Sequence, residues 1–565
     1  MPAKMKSTVA VALAGALLGG VVVFGVLYKK PGSRLIEKVG RVVDNALGGA
    51  KDAAEAAADW TPAAGLKLEA HKSGFDYPVR LVFHPTPPEQ PGAPLYYVAE
   101  LDGRIKVVTK DGTVHTFAER LLNFERTPLE ELGLLGMCYD EWENQMFVTL
   151  AYWDAGGGVY RNRVERLGCS DDGLSMTDRT VVLDMKSEAT VASYQIQFCA
   201  LGPDGLLYVG VGSGGKKSDA QRLDKFAGKI LCMEKDGTSV ATNPFYDPEH
   251  PDAPRSYVYA YGLRNPFDIA WDPRSFIAVV SDVGPGIDRI VRLEPGVNYC
   301  FEMDENQMRA NALYTWGPVV EKNDAWAPTG VAFLQPEALD FDRAYRLCVG
   351  LFGRVHVPGP NKGKRVVEFE LSLKGWLDSW PSTLMTYTGK RFCSITDVES
   401  GPDGLYFLDL YGETPQPHRD GGVVYRIVKD PDYVAPVDAS ASLTGVARGK
   451  YLYTHLKCFS CHVMDGYGGS EGPPLVNLGE RLDKRLNSAE YEATLKQFAD
   501  DPGEYFQSNR ETYGTLLSLS GEQRVRAWLH AHIADPRFDN PKAKMPSHEL
   551  PEEDLAALTQ FLLTK

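Results

Sequence analysis

The chain has 565 residues, 24% of them charged and 44% hydrophobic, so it is globular and too long for one ordinary domain. Sixty Lys and Arg against 75 Asp and Glu give a net charge of -15, the wrong sign for coating a phosphate backbone, and nucleic acid drops out as a general partner. Fifty-five glycines and 37 prolines exceed average usage and point to many turns and a β-rich body.

The run Thr8 to Tyr28 carries no charge and is flanked by Lys4 and Lys6 before it and Lys29 and Lys30 after it. As a helix it spans roughly 30 Å, one hydrocarbon core, and it is longer than a signal-peptide core and lacks an A-x-A-like cleavage site. Residues 1–30 are therefore expected to be a transmembrane anchor in contact with membrane lipid. Lysines on both flanks leave its orientation open. Residues 31–65, with Leu35, Val39, Val42, Val43 and Leu47 at helical spacing, read as a juxtamembrane helix or linker.

From 66 to 430 short β-branched and aromatic strands alternate with Asp-Gly and Pro-Asp-Gly turns. Two segments, Gly202 to Gly212 and Gly401 to Gly412, are near copies 199 residues apart, about four steps of fifty, and the stretch holds about six such units. A β-propeller is the economical expectation, because closing blades into a ring leaves only short, protected edges; a pair of β-sandwiches is the competitor.

Several segments here are specific: GFDYPVRLVFHP (Gly74 to Pro85), ELGLLGMCYD (Glu131 to Asp140), YGLRNPFDIAWDP (Tyr261 to Pro273), DVGPGIDRI (Asp282 to Ile290) and VGLFGR (Val349 to Arg354). Together with the two Pro-Asp-Gly turns they resemble the glucose/sorbosone dehydrogenase family. The resemblance implies a six-bladed propeller whose active members hold pyrroloquinoline quinone and calcium at the axial mouth. It implies Arg264 and Asn265 as the substrate and quinone contact pair, and the backbone carbonyls of Gly284 and Pro285 as calcium ligands. It also implies a histidine base where this chain has Tyr194, an orienting carboxylate where it has Ser213, and basic quinone clamps near Phe352, Ser394 and Thr396.

Those departures have a chemical cost. A base must lie within reach of the substrate hydroxyl with a pKa near working pH, whereas tyrosine titrates at about 10 unless a cation depresses it. Quinone carboxylates left without Lys or Arg would cost several kcal/mol. The expectation is a propeller kept for binding or structure. An active quinone-dependent sugar or aldehyde dehydrogenase is the alternative, with His356 and His418 as loop residues able to supply a base.

Of nine cysteines, only Cys458 and Cys461 sit close together. Cys458-Phe459-Ser460-Cys461-His462 is the C-x-x-C-H attachment motif for c-type haem, and with that pair set aside seven cysteines remain, an odd number. The segment before it has helical spacing at Val446, Tyr451, Leu452 and Leu456. The loop Gly472 to Leu482 is expected to offer a backbone carbonyl to the second ring nitrogen of His462. Met545-Pro546 before a terminal amphipathic helix resembles the sixth-ligand loop of class I cytochrome c, so His462 and Met545 are the expected iron ligands, with His548 competing. A zinc site would need a further ligand pair that this segment lacks.

The expected fold class is thus mainly β: a transmembrane helix (1–30), a linker (31–65), a six-bladed propeller (66–430), a second linker (431–441) and an all-α cytochrome c domain (442–565). Covalent haem attachment occurs on the positive side of energy-converting membranes, which places the bulk of the chain in a bacterial periplasm or outside the mitochondrial inner membrane in the intermembrane space. Two functions follow: an internal dehydrogenase-to-haem relay, or electron exchange with a respiratory-chain membrane complex or soluble redox protein. A subunit in which haem is only a structural staple is a third reading.

Overall fold

The computed structural model describes residues 57–85, 90–126, 131–284, 286–316, 325–339, 343–354, 357–379, 381–410, 421–433, 442–456, 458, 462–464, 472–540, 543, 545, 547–548 and 550–565. The expected anchor, most of the first linker, Pro285, His356, His418 and Cys461 lie outside these residues. Among the described residues no helix is long and apolar enough to cross a membrane.

Six antiparallel sheets follow one another as propeller blades. The first holds strands Pro78–Phe83, Pro94–Glu100, Arg104–Thr109 and Val114–Ala118. The second holds Leu134–Asp140, Gln145–Asp154, Val159–Cys169 and Met176–Asp184. The third holds Ile196–Leu201, Leu207–Val211, Lys229–Met233 and Val258–Tyr261. Pro266–Trp271, Ala278–Asp282, Asp288–Arg292 and Tyr314–Trp316 build the fourth. Pro328–Phe333, Leu347–Leu351, Arg365–Phe369 and Ser382–Tyr387 build the fifth.

The sixth blade takes Ile395–Gly401, Gly404–Asp409 and Gly422–Lys429 from the end of the repeat and its outer strand, Leu66–Phe75, from the beginning. This splice closes the ring. The two near-identical turns occupy the same hairpin of the third and sixth blades, so 199 residues correspond to three blades rather than four steps of fifty. Long connections, such as 234–257 in the third blade, lengthen the repeat. In both turns an aspartate accepts a hydrogen bond from a tyrosine of the next strand: Tyr208 to Asp204 at 2.9 Å, and Tyr406 to Asp403 at 2.7 Å.

A further strand, Trp60–Pro62, adds to the outer edge of the fifth blade within the stretch expected to be linker. Its cause is local: Trp60 is buried edge-on against Tyr387 and Phe407, both 5.1 Å away, and Arg391 pairs with Asp59 at 2.8 Å.

Where the innermost strands converge, Arg80 of the first blade meets Asp268 of the fourth at 2.7 Å and Asp397 of the sixth at 3.1 Å. The same carboxylates accept the Val331 and Leu81 N–H groups, so the hub is cross-linked as well as charge-paired. Burial pushes the Asp397 carboxyl up to about 7 despite Arg80.

The carboxyl-terminal part is helical: Gly445–His455, Leu478–Leu486, Ala489–Asp500, Glu504–Ser508, Arg510–Ser518, Gly521–Ala534 and Glu552–Leu562. Its own core gathers Leu452, Leu482, Leu486, Leu495, Trp528 and Leu558, apolar positions repeating at helical spacing. Arg448 clamps Asp554 through two hydrogen bonds of 2.7 and 2.8 Å, joining the first and last of these helices.

Candidate functional site

In three blades the second strand ends on a buried carboxylate that receives N–H groups from the chain entering the first strand. Glu100 accepts from Asp76 at 2.8 Å, Asp282 from Arg264 and Asn265 at 3.0 and 2.8 Å, and Asp409 from Ser394 at 3.0 Å. These caps fix the loops around the axial mouth. The other oxygen of Asp282 accepts from Nε and Nη2 of Arg289, whose side chain is 0% exposed.

The expected contact pair therefore stands on a rigid base. Arg264 lies over the Tyr194 ring at 4.1 Å, donates to its hydroxyl at 2.5 Å and donates to the Val283 carbonyl at 2.9 Å. Asn265 accepts from Gln197 at 3.0 Å. Tyr194 has a φ of 61°, a left-handed conformation that a bulky residue adopts only where its surroundings impose it, and its carbonyl accepts the Gly214 N–H at 3.0 Å. The position where the resemblance implied a histidine base is thus occupied by a phenol held on Arg264, the arginine of the expected contact pair.

Beside it, the Ser213 hydroxyl and the side-chain amide oxygen of Gln195 are buried without hydrogen-bond partners. The Gln195 side-chain N–H donates to the Glu131 carbonyl. The sequence reading passed over Glu131, whose carboxyl accepts from the Tyr194 N–H and from Ser193 and feels the charge of Arg264. It opens the ELGLLGMCYD segment, but no role shows there, because Tyr194 and Arg264 come from other blades.

Gly284 donates its N–H to Asp288 at 3.1 Å, and the other Asp288 oxygen accepts from Trp326 and Ala327 at 3.1 and 2.9 Å. Burial raises the Asp288 carboxyl and these three donors oppose it. Both oxygens are thereby committed. Among the described residues no group of three or more His, Cys, Asp or Glu side chains could hold a metal ion, and Pro285, the second implied calcium ligand, lies outside them.

The three positions implied as quinone clamps carry no cation. Phe352 donates its N–H to Ala327, Thr396 donates its hydroxyl to Pro78, and Ser394 is buried with its hydroxyl bare. Lys364 is buried and spends its ammonium on the Val357 and Gly359 carbonyls at 2.7 and 2.9 Å. Arg354, one residue beyond Gly353, is half-buried, and Arg104 is held by Asp76 and Glu100 at 2.6 and 3.0 Å. With Arg264 turned onto Tyr194 and Val283, this set does not fit a ligand bearing three carboxylates.

The helical part brings its expected residues into a different arrangement. His462 shares a hydrogen bond of 2.8 Å between Nδ1 and the Pro473 carbonyl, the contact expected from the loop after the motif. That bond makes Nδ1 the donor and leaves Nε2, on the far edge of the ring, as the nitrogen able to act as a ligand. Gly472 makes room for the ring: a Cβ there would lie 2.4 Å from Cε1 and 2.6 Å from Nδ1. Cys458 is half-buried against the helical core, and Met464 is buried within it, so Met464 serves packing.

Met545 is half-buried in a bend, and its loop is tied back by the His548 N–H to the Ile533 carbonyl at 3.1 Å. His532 stacks on Trp528 at 4.3 Å and 15°; burial lowers its pKa, and His462 is among the charges that add to this. Asp539 draws the Tyr491 hydroxyl, the Trp528 indole and Arg485 to 2.7, 2.7 and 3.2 Å. This buried polar knot was not foreseen from the sequence. The residues described here fit a haem-bearing histidine.

Comparison with known proteins bears on the propeller. A family model described as glucose/sorbosone dehydrogenase matches residues 90–409. Aldose sugar dehydrogenase YliI of Escherichia coli is 27% identical over 262 residues, which is 42% of this chain and 63% of that protein. An uncharacterised protein of Synechocystis is 26% identical over 226 residues, 36% of this chain and 52% of that protein. The chain thus spans less than two-thirds of the length of either relative. A crystal structure of glucose dehydrogenase covers 64% of this chain and 99% of its own at 19% identity with a TM-score of 0.51, a likeness of fold. From Gln90 through the Arg264-Asn265 pair to Asp409, this chain belongs to the glucose/sorbosone dehydrogenase family.

Proposed function

We propose that the protein is a membrane-anchored c-type cytochrome, its haem c attached through Cys458 and Cys461 and ligated by His462 and Met545. In this reading the sugar-dehydrogenase-like propeller has lost its catalytic base. The observation that carries it is the His462 Nδ1 to Pro473 carbonyl bond in a C-x-x-C-H setting. The haem supplies one-electron redox chemistry. Pro473 holds the His462 tautomer, Gly472 sets the ring position, and the Met545 thioether favours the ferrous state.

The electron partner is a respiratory-chain membrane complex or a soluble redox protein, and the bulk of the chain lies on the positive side of a bacterial or mitochondrial inner membrane. The propeller serves as a binding or docking body. The commitment of Arg264 and Lys364 to the protein's own acceptors supports this, as does the lack of cations at the three clamp positions. Family membership favours a second reading: an active quinone-dependent sugar or aldehyde dehydrogenase passing electrons to its own haem.

One experiment separates the two. Purified protein is assayed for haem as its pyridine haemochrome, then mixed with pyrroloquinoline quinone, calcium and a panel of aldoses while the haem absorbance is followed. We expect haem, and no substrate-dependent reduction. Rapid reduction establishes the dehydrogenase, and a colourless sample removes the cytochrome. Met545→Ala is expected to abolish the weak sulfur-to-iron band and lower the midpoint potential; an unchanged spectrum means the sixth ligand is elsewhere.

A further inference from the structure

We propose that Cys138 and Cys199 form a disulfide that staples the second blade to the third. Cys138 lies on the innermost strand of the second blade, directly across from Phe147 in the hairpin register. Cys199 lies on the innermost strand of the third and directs its thiol to the carbonyl of the same Phe147, at 3.3 Å. Both cysteines therefore border one residue, and the Cys138 side chain is the neighbouring group that acts most strongly on the Cys199 thiol. The strands are in direct contact at this level: a Cβ on Gly136 would lie 2.7 Å from the Cys199 nitrogen. Each remaining described cysteine of the propeller, Cys169, Cys232, Cys300, Cys348 and Cys393, lies on or beside a different blade. One pair plus five single thiols accounts for the odd number left after the C-x-x-C-H motif.

The reaction is a thiol–disulfide exchange. Two thiols give up two protons and two electrons to a small disulfide oxidant such as oxidised glutathione, one sulfur–sulfur bond forms in the protein, and the oxidant leaves as two thiols. Burial holds the Cys199 thiol well above its ordinary range, so the exchange runs while the chain folds rather than in the finished ring. The two residues stand 61 positions apart, and a closed loop of that length restricts the unfolded chain far more than the folded one. The proposal rests on the reading that the propeller faces an oxidising compartment.

The test has two arms. Full-length protein from its native membranes is trapped with a thiol-alkylating reagent under acid denaturation and mapped by mass spectrometry; separately, denatured reduced full chain is refolded with oxidised and reduced glutathione. We expect the Cys138 and Cys199 peptides joined in both, about two mass units lighter than the separate thiol peptides. We also expect a thermal midpoint that falls on reduction in the wild type and is insensitive to reductant in Cys138→Ala. A link formed only on refolding keeps the pair and removes the compartment. Free, alkylated thiols at both positions in both arms overturn the proposal.

Discussion

Replacing Asp282 by asparagine tests whether the mouth is anchored through a buried ion pair. One Asp282 oxygen holds the Arg264 and Asn265 N–H groups at 3.0 and 2.8 Å, and the other holds Nε and Nη2 of Arg289 at 3.0 and 2.8 Å. Asparagine keeps a single acceptor oxygen. Whichever pair it serves, its NH2 opposes the other, so two of the four bonds go and a fully buried guanidinium loses its counter-charge. Two bonds involving a charge, at ~1.5 kcal/mol each, and the cost of stranding one member of a buried pair put the loss at about 4 kcal/mol. Arg289→Met should also be costly, since it strands the carboxylate and leaves the Tyr299 and Met308 carbonyls without their donor. Combined, the two changes should cost less than their sum by at least ~2 kcal/mol. Equilibrium urea unfolding of the full chain, followed by circular dichroism in the β-sheet region, measures all three variants. A loss below ~1 kcal/mol for Asp282→Asn, or strict additivity, refutes the reasoning.

Gly472→Ala must displace the His462 ring by about 1 Å, enough to break its 2.8 Å bond to Pro473. Losing that bond makes the imidazole a weaker donor, so a redox titration of the haem-loaded protein should find the midpoint raised by about 40 mV for ~1 kcal/mol. Burial pushes the Glu100 carboxyl from 4.5 up to about 7, opposed by the Asp76 N–H and Arg104. An acid with a raised folded pKa contributes most below its unfolded value, so wild-type stability should fall as pH rises from 4.5 through 7, by at most ~3 kcal/mol. Glu100→Gln should remove that decline, as denaturation curves across the interval will show.

The blades were legible because strand alternation and Asp-Gly turns are local signals, and the C-x-x-C-H motif because its chemistry fits within five residues. The Pro473 contact could be read ahead for a similar reason, since only eleven residues separate it from His462. The missing clamps were visible as uncharged residues. What escaped was whatever joins distant chain. Arg80 meets Asp397 across 317 residues, and Glu131 reaches Tyr194 from another blade. Trp60 becomes a strand residue only because Tyr387 and Phe407 bury it; with its neighbours Ala57 and Pro62 it shows no alternation of its own. The blade step was misjudged for the opposite reason: connections vary in length while the hairpins they join do not.

The splice that completes the sixth blade sets the timing of biosynthesis. Leu66–Phe75 leaves the ribosome first and finds its partner, Gly422–Lys429, only after the intervening blades have been translated. At ordinary elongation rates that interval lasts roughly 20–70 s, during which two unsatisfied strand edges stand open to foreign chains. A nascent-chain guardian acting on this protein should therefore hold it until about residue 429 has emerged, and premature termination before that point should yield aggregate rather than a smaller ring.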